Sequence, residues 1–185
     1  MAKFRNLVAG LVALAMPAIA QSQTYTFNFD NLGSQVAVPT NYGGGFWSGF
    51  KTAAGFGATS APNIAYTSAP TGLFEWAAGF TSLTFSAGVF VPGTFDVYSG
   101  LGGTGTLLGS LTIGNPPADP NAFFPTSVAF SGVAMSVVVS GGAGQIGWDD
   151  VTINSVPEPA SFLLVLPALG LVGVALQRRR KAIAS

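Results

Sequence analysis

The chain has 185 residues, no cysteine and no histidine, and its zero formal net charge conceals a segregated distribution. Lys3 and Arg5 open the chain and Arg178, Arg179, Arg180 and Lys181 close it, whereas between residues 21 and 156 Lys51 stands alone against six acids, a net charge of −5. These numbers exclude disulfide staples, imidazole-based catalysis, histidine-ligated metals and nucleic-acid binding, since one base cannot neutralise a phosphate backbone.

Residues 1–20 carry the parts of a signal peptide. Two bases precede an apolar run from Leu7 to Met16, and Ala18-Ile19-Ala20 supplies a small-x-small cleavage site before Gln21. The apolar run is about half the roughly 20 residues that span a bilayer, so it is read as cleaved by signal peptidase and not as an anchor.

Residues 21–155 read as one all-β domain. Gly, Ser, Thr, Ala and aromatics dominate, with hardly any Lys, Glu or Arg to favour helices. Alternating or short apolar runs predict strands at 24–29, 64–67, 83–85, 94–98, 107–113, 127–130, 135–139 and 148–153, with a ninth at 46–50. Glycine-rich or proline-rich loops at 43–45, 100–105, 115–120 and 141–144 punctuate them. This number of short strands predicts an antiparallel two-sheet sandwich of jelly-roll type. The segment Gly147-Trp148-Asp149-Asp150-Val151-Thr152-Ile153 resembles the closing strand of jelly-roll modules in exported bacterial proteins, carbohydrate-binding modules among them. Pairing of the first and last strands would bring Asp30 near Asp149 and Asp150.

Chemistry is sparse in this span. Asp30, Asp149 and Asp150 are the candidate ligands for a structural calcium ion, which favours carboxylate and carbonyl oxygens. Solvated edge carboxylates are the competing reading. Tyr42, Trp47 and Trp76, with Tyr66, are the candidate glycan contacts, because an aromatic face packs against the apolar side of a pyranose. Trp148 leads the last strand and is assigned to the core. Glu75 precedes Trp76, but no facing pair of carboxyl groups of the glycosidase kind is visible, and the domain is taken as non-catalytic.

The C-terminal segment 156–181 has three parts in order. Pro157-Glu158-Pro159 holds the chain extended and stops helix propagation upstream. An apolar stretch at 162–176 follows, then the basic stop Arg178, Arg179, Arg180 and Lys181. Fifteen helical residues cover about 23 Å, short of a ~30 Å hydrocarbon core, so the expected transmembrane helix is a weak tether with its bases on the cytoplasmic side. The whole arrangement, accompanied by an N-terminal signal, resembles the PEP-CTERM sorting signal of Gram-negative bacteria. That resemblance implies recognition by a membrane-embedded exosortase, removal of the tail near the motif, and delivery to the cell surface or an exopolysaccharide matrix. The expected role is a non-catalytic adhesion or glycan-contact module, with extracellular polysaccharide as partner. The alternative is a structural coat or biofilm component without a specific ligand.

Overall fold

The computed structural model describes residues 21–55, 57, 59–114 and 122–157, all within one compact unit. The expected signal peptide, the 115–120 loop, the transmembrane helix 162–176 and the basic stop lie outside the described residues.

Ten strands and two short 3-10 turns make up the described chain. β1 (Gln23–Phe27), β2 (Phe46–Ser48), β3 (Phe50–Ala54), β4 (Asn63–Thr67) and β5 (Thr71–Val89) come first. β6 (Gly93–Tyr98), β7 (Leu107–Ile113), β8 (Phe124–Ser127), β9 (Ala134–Ser140) and β10 (Ile146–Ser155) complete the set. All strand pairs are antiparallel.

Two differences from the sequence expectation shape the fold. The stretch expected as one strand at 46–50 is split by Gly49, whose φ of 77° places it in the left-handed region and turns β2 away from β3. The short strand expected at 83–85 is the far end of the 19-residue β5.

Hydrogen bonding runs through all ten strands, yet β5 changes partners at its middle. Its first half pairs with β2 and β9, and residues 80–89 pair with β10 and β8. Between the halves the register slips from Glu75 to Phe80, with Gly79 at φ 79°. One layer is therefore β2, the first half of β5, β9, β6 and β7. The other is β3, β4, β10, the second half of β5 and β8, with β1 adding to β10.

The core fills the space between these layers and is rich in aromatic rings, with Val, Ile, Leu and Ala between them. Trp148 of β10 packs on Phe50 and Phe85 of its own layer at ring-centroid distances of 5.3 and 5.6 Å. It reaches Trp47 and Phe95 of the facing layer at 5.6 and 5.8 Å. Such offset and edge-on pairs add to the burial of large apolar surface. With cysteine absent, this packing carries the stability.

Close approach of the layers depends on Gly72, because a Cβ there would overlap the Phe50 ring. Gly72→Ala is expected to lower stability by about 1–3 kcal/mol through overpacking, read as a lower unfolding midpoint in urea.

Candidate functional site

Residues at the two ends of the domain meet. β1 pairs with β10 over Gln23↔Ser155 to Phe27↔Val151, and the Ser22 hydroxyl donates to the Ser155 carbonyl at 2.8 Å. The last backbone link of the strand is Val156 N–H to Gly79 O at 2.9 Å. Trp76 Nε1 donates to Ser155 Oγ at 2.9 Å and closes the same corner. Pro157, partly buried, is the next residue and the first of the proline motif. Glu158 and Pro159 lie outside the described residues.

β10 contains a bulge at the carboxylate pair. The register slips between Asp149 and Thr152, and Asp150 adopts φ 48°. A non-glycine residue there is strained, and Asp149 Oδ1 offsets the cost by accepting the Asp150 N–H at 2.8 Å. The other oxygen, Oδ2, accepts the Ser60 N–H at 3.0 Å, with the Ser60 hydroxyl 3.3 Å from both oxygens. Asp30, just beyond β1, accepts the Asn63 N–H at 3.0 Å. Asp149 of β10 and Asp30 just beyond β1 thus hold one segment, residues 60–63, which ends on the first residue of β4.

The calcium expectation concerns these same carboxylates. Asp30, Asp149 and Asp150 do come into one region, but among the described residues no group of three or more acidic, histidine or cysteine side chains is placed to hold a metal ion. Backbone and hydroxyl donors already engage both oxygens of Asp149 and Oδ1 of Asp30. Asp149 is fully buried, and desolvation pushes its pKa up to about 6 against the opposing pull of its hydrogen bonds from Ser60 and Asp150.

The glycan expectation at the tryptophans is corrected by burial. Trp47 has 0% of its surface exposed, wedged among Phe27, Phe50 and Phe74, with Nε1–H donating to the Tyr42 carbonyl at 3.0 Å. Trp76 is 8% exposed, and Tyr25 covers it at a centroid distance of 4.4 Å. Neither offers a face to a sugar. Tyr42 is half-buried and stacked on Phe29 at 5.4 Å. Its hydroxyl accepts the Phe29 N–H and donates to Asn31 Oδ1, and burial raises its pKa.

Glu75 holds a loop in place. Its carboxylate accepts the Gly102 N–H, while Ser136 Oγ accepts the Gly103 N–H at 3.0 Å, and together they fix the 3-10 turn Leu101–Gly103 to the outer face of β5 and β9.

A cleft of about 230 Å³ opens on the outer face of the β3-β4-β10-β5 layer. The cleft exists because small residues form its floor: Ala53, and the cross-strand pair Gly88 and Gly147. The Phe123 ring lies over those glycines, and a Cβ on Gly88 would come within 2.5 Å of it. Tyr66 and Phe90 complete the aromatic wall. The Tyr66 hydroxyl donates to Gln35 Oε1 at 3.0 Å. Gln35 sits at φ 62° in a turn tied to Thr52, whose carbonyl accepts the Gln35 N–H at 2.8 Å. Aromatic faces beside an amide suit a ligand with an apolar face and hydroxyl edges. Of these residues only Tyr66 stood among the sequence candidates. The glycines facing each other on neighbouring strands became meaningful only once the register was known.

Residues 155–181 match the PEP-CTERM protein-sorting motif. The chain thus carries the signal of an exported, exosortase-processed protein. No curated protein matches the chain. Among solved structures, a family 6 carbohydrate-binding module from Clostridium stercorarium in complex with cellobiose is similar at 16% identity and a TM-score of 0.40, over 66% of this chain and 97% of that one. A mutant family 29 carbohydrate-binding module aligns at 12% identity and 0.45, covering 72% of this chain and 91% of the module. A glycoside hydrolase family 43 arabinoxylan arabinofuranohydrolase from Bacillus subtilis aligns at 16% and 0.42 over 58% of this chain, which spans only 24% of that enzyme.

Proposed function

We propose that this is a non-catalytic surface or extracellular-matrix protein of jelly-roll-like architecture, delivered through the inner membrane, trimmed by signal peptidase and an exosortase, and contacting polysaccharide outside the cell. The observation that carries the reading is the sorting motif matched at 155–181, starting at the last residue of β10.

The fold suits processing at both ends. A cut after Ala20 spares β1, which begins at Gln23, and a cut near Pro157 spares β10, which is complete at Ser155. Neither event removes a hydrogen bond of the β1–β10 ladder, so the trimmed domain keeps the pairing that closes it. The outer-face cleft, with its aromatic wall and Gln35, supplies the glycan-contact surface in this reading.

Mass spectrometry of the mature protein from its native host is expected to show Gln21 as the first residue and loss of the apolar and basic tail. Deleting residues 157–181 is expected to abolish surface delivery while leaving the domain folded. A mature protein retaining 162–181, or unchanged delivery after the deletion, overturns the sorting assignment.

A further inference from the structure

Lys51 is the single base between residues 21 and 156, a span with six acids. The β3–β4 register sets it directly opposite Tyr66. Cross-strand partners project to the same face of a sheet, so the ammonium rises on the side where the cleft opens. Lys51 is exposed, and among the described residues no ion pair or side-chain hydrogen bond engages it. A lone surface cation adds little to stability. Its position beside an aromatic-walled cleft on a domain otherwise negative is a matter of charge complementarity toward something that enters the cleft.

We propose that this cleft binds a uronic-acid unit of an extracellular polysaccharide, the sugar ring lying against Tyr66 and Phe123 and the carboxylate meeting Lys51. The inference rests on the glycan-contact reading above and adds the ligand's charge and orientation. One cation in a negative field selects a sparsely charged polymer. A uronate with its carboxylate on Lys51 gains a charge-assisted contact, whereas a densely charged polyanion meets the net negative charge of −5 that the domain carries between residues 21 and 156. Gln35, fixed by its turn and by Tyr66, is placed to hydrogen-bond ring hydroxyls.

The test is calorimetric titration of the full chain in detergent with a glucuronate-containing gellan oligosaccharide and with the same oligosaccharide after reduction of its carboxyl groups to alcohols. The native oligosaccharide is expected to bind about tenfold more tightly than the reduced one, the size of a charge-assisted hydrogen bond. Lys51→Gln, at an exposed strand position, is expected to keep the wild-type melting temperature and bind both forms equally. Equal binding of the two forms by wild type, or a preference that survives Lys51→Gln, overturns the uronate assignment and leaves glycan contact standing. No binding of either form by wild type overturns the glycan-contact reading and this inference with it.

Discussion

Replacing Trp148 with alanine is expected to cost about 3–5 kcal/mol, as deletion of a large buried aromatic does, against a total stability of about 5–15 kcal/mol for a domain of ordinary size. The indole has no exposed surface and touches rings from both layers, those of Phe50 and Phe85 on its own side and of Trp47, Phe74 and Phe95 on the other. The void would therefore open at the seam between the layers, where collapse requires both to move. Trp148 Nε1–H finds no acceptor among the described residues, so the loss is one of packing and not of a hydrogen bond. Trp148→Phe separates the two: it removes the unpaired donor, keeps a ring, and is expected to cost less than half as much. Urea unfolding followed by near-UV circular dichroism measures both. Equal losses for the two variants would place the stability elsewhere.

The same physics governs how Trp47 is to be used as a probe. Trp47→Ala is a core deletion in this fold, and loss of ligand binding in that variant would report unfolding and not the removal of a stacking platform. Probes of binding belong at exposed positions on the cleft face.

Particular elements show what was legible in the sequence. The predicted 107–113 strand coincides with β7, and the alternation of Tyr25, Phe27 and Phe29 located β1, because a one-faced strand writes its period directly into the chain. The first half of β5 was invisible. Trp76-Ala77-Ala78-Gly79-Phe80 interrupts the period where the strand bends from one layer into the other. The strand expected at 127–130 sits instead at Phe124–Ser127, and its Pro125 is tolerated because β8 pairs only with β5 among the described strands.

The candidate site was legible in its parts and not in their use. Gly43-Gly44-Gly45 reads as an open loop presenting Tyr42 and Trp47. In the structure these glycines let the backbone press against aromatic rings, and a Cβ on Gly45 would lie 2.7 Å from Phe74. Residue type alone does not say whether glycine grants mobility or close approach. Likewise the pairing of the terminal strands, which the expected approach of Asp30 to Asp149 rested on, is present as β1 against β10. That both carboxylates would be spent on one loop depended on the path of residues 60–63, which no periodicity encodes.

The Asp149 latch carries a pH dependence whose sign is opposite to that of a salt-bridged aspartate. Burial raises its pKa in the folded state to about 6 from an ordinary 3.8, with the Asp150 charge adding to the rise and the donors from Ser60 and Asp150 opposing it. The folded state therefore holds the proton more tightly than the unfolded chain. The contribution is complete below the unfolded value and is lost as pH rises through the folded one, so stability is expected to fall between about pH 4 and pH 7. The full shift corresponds to about 3 kcal/mol, and access of water to the 60–63 loop reduces this to about 1–3 kcal/mol. No histidine contributes a competing slope in that range. Asp149→Asn, neutral at every pH, is expected to flatten the profile. Asp149→Ala leaves the Ser60 and Asp150 N–H groups without their acceptor and is expected to cost about 2–4 kcal/mol, with the loop released first. Urea midpoints across pH for the three proteins decide the matter. An Asp149→Asn profile that tracks wild type would assign the slope to other carboxylates and leave the latch as a hydrogen-bonded anchor without a titrating role.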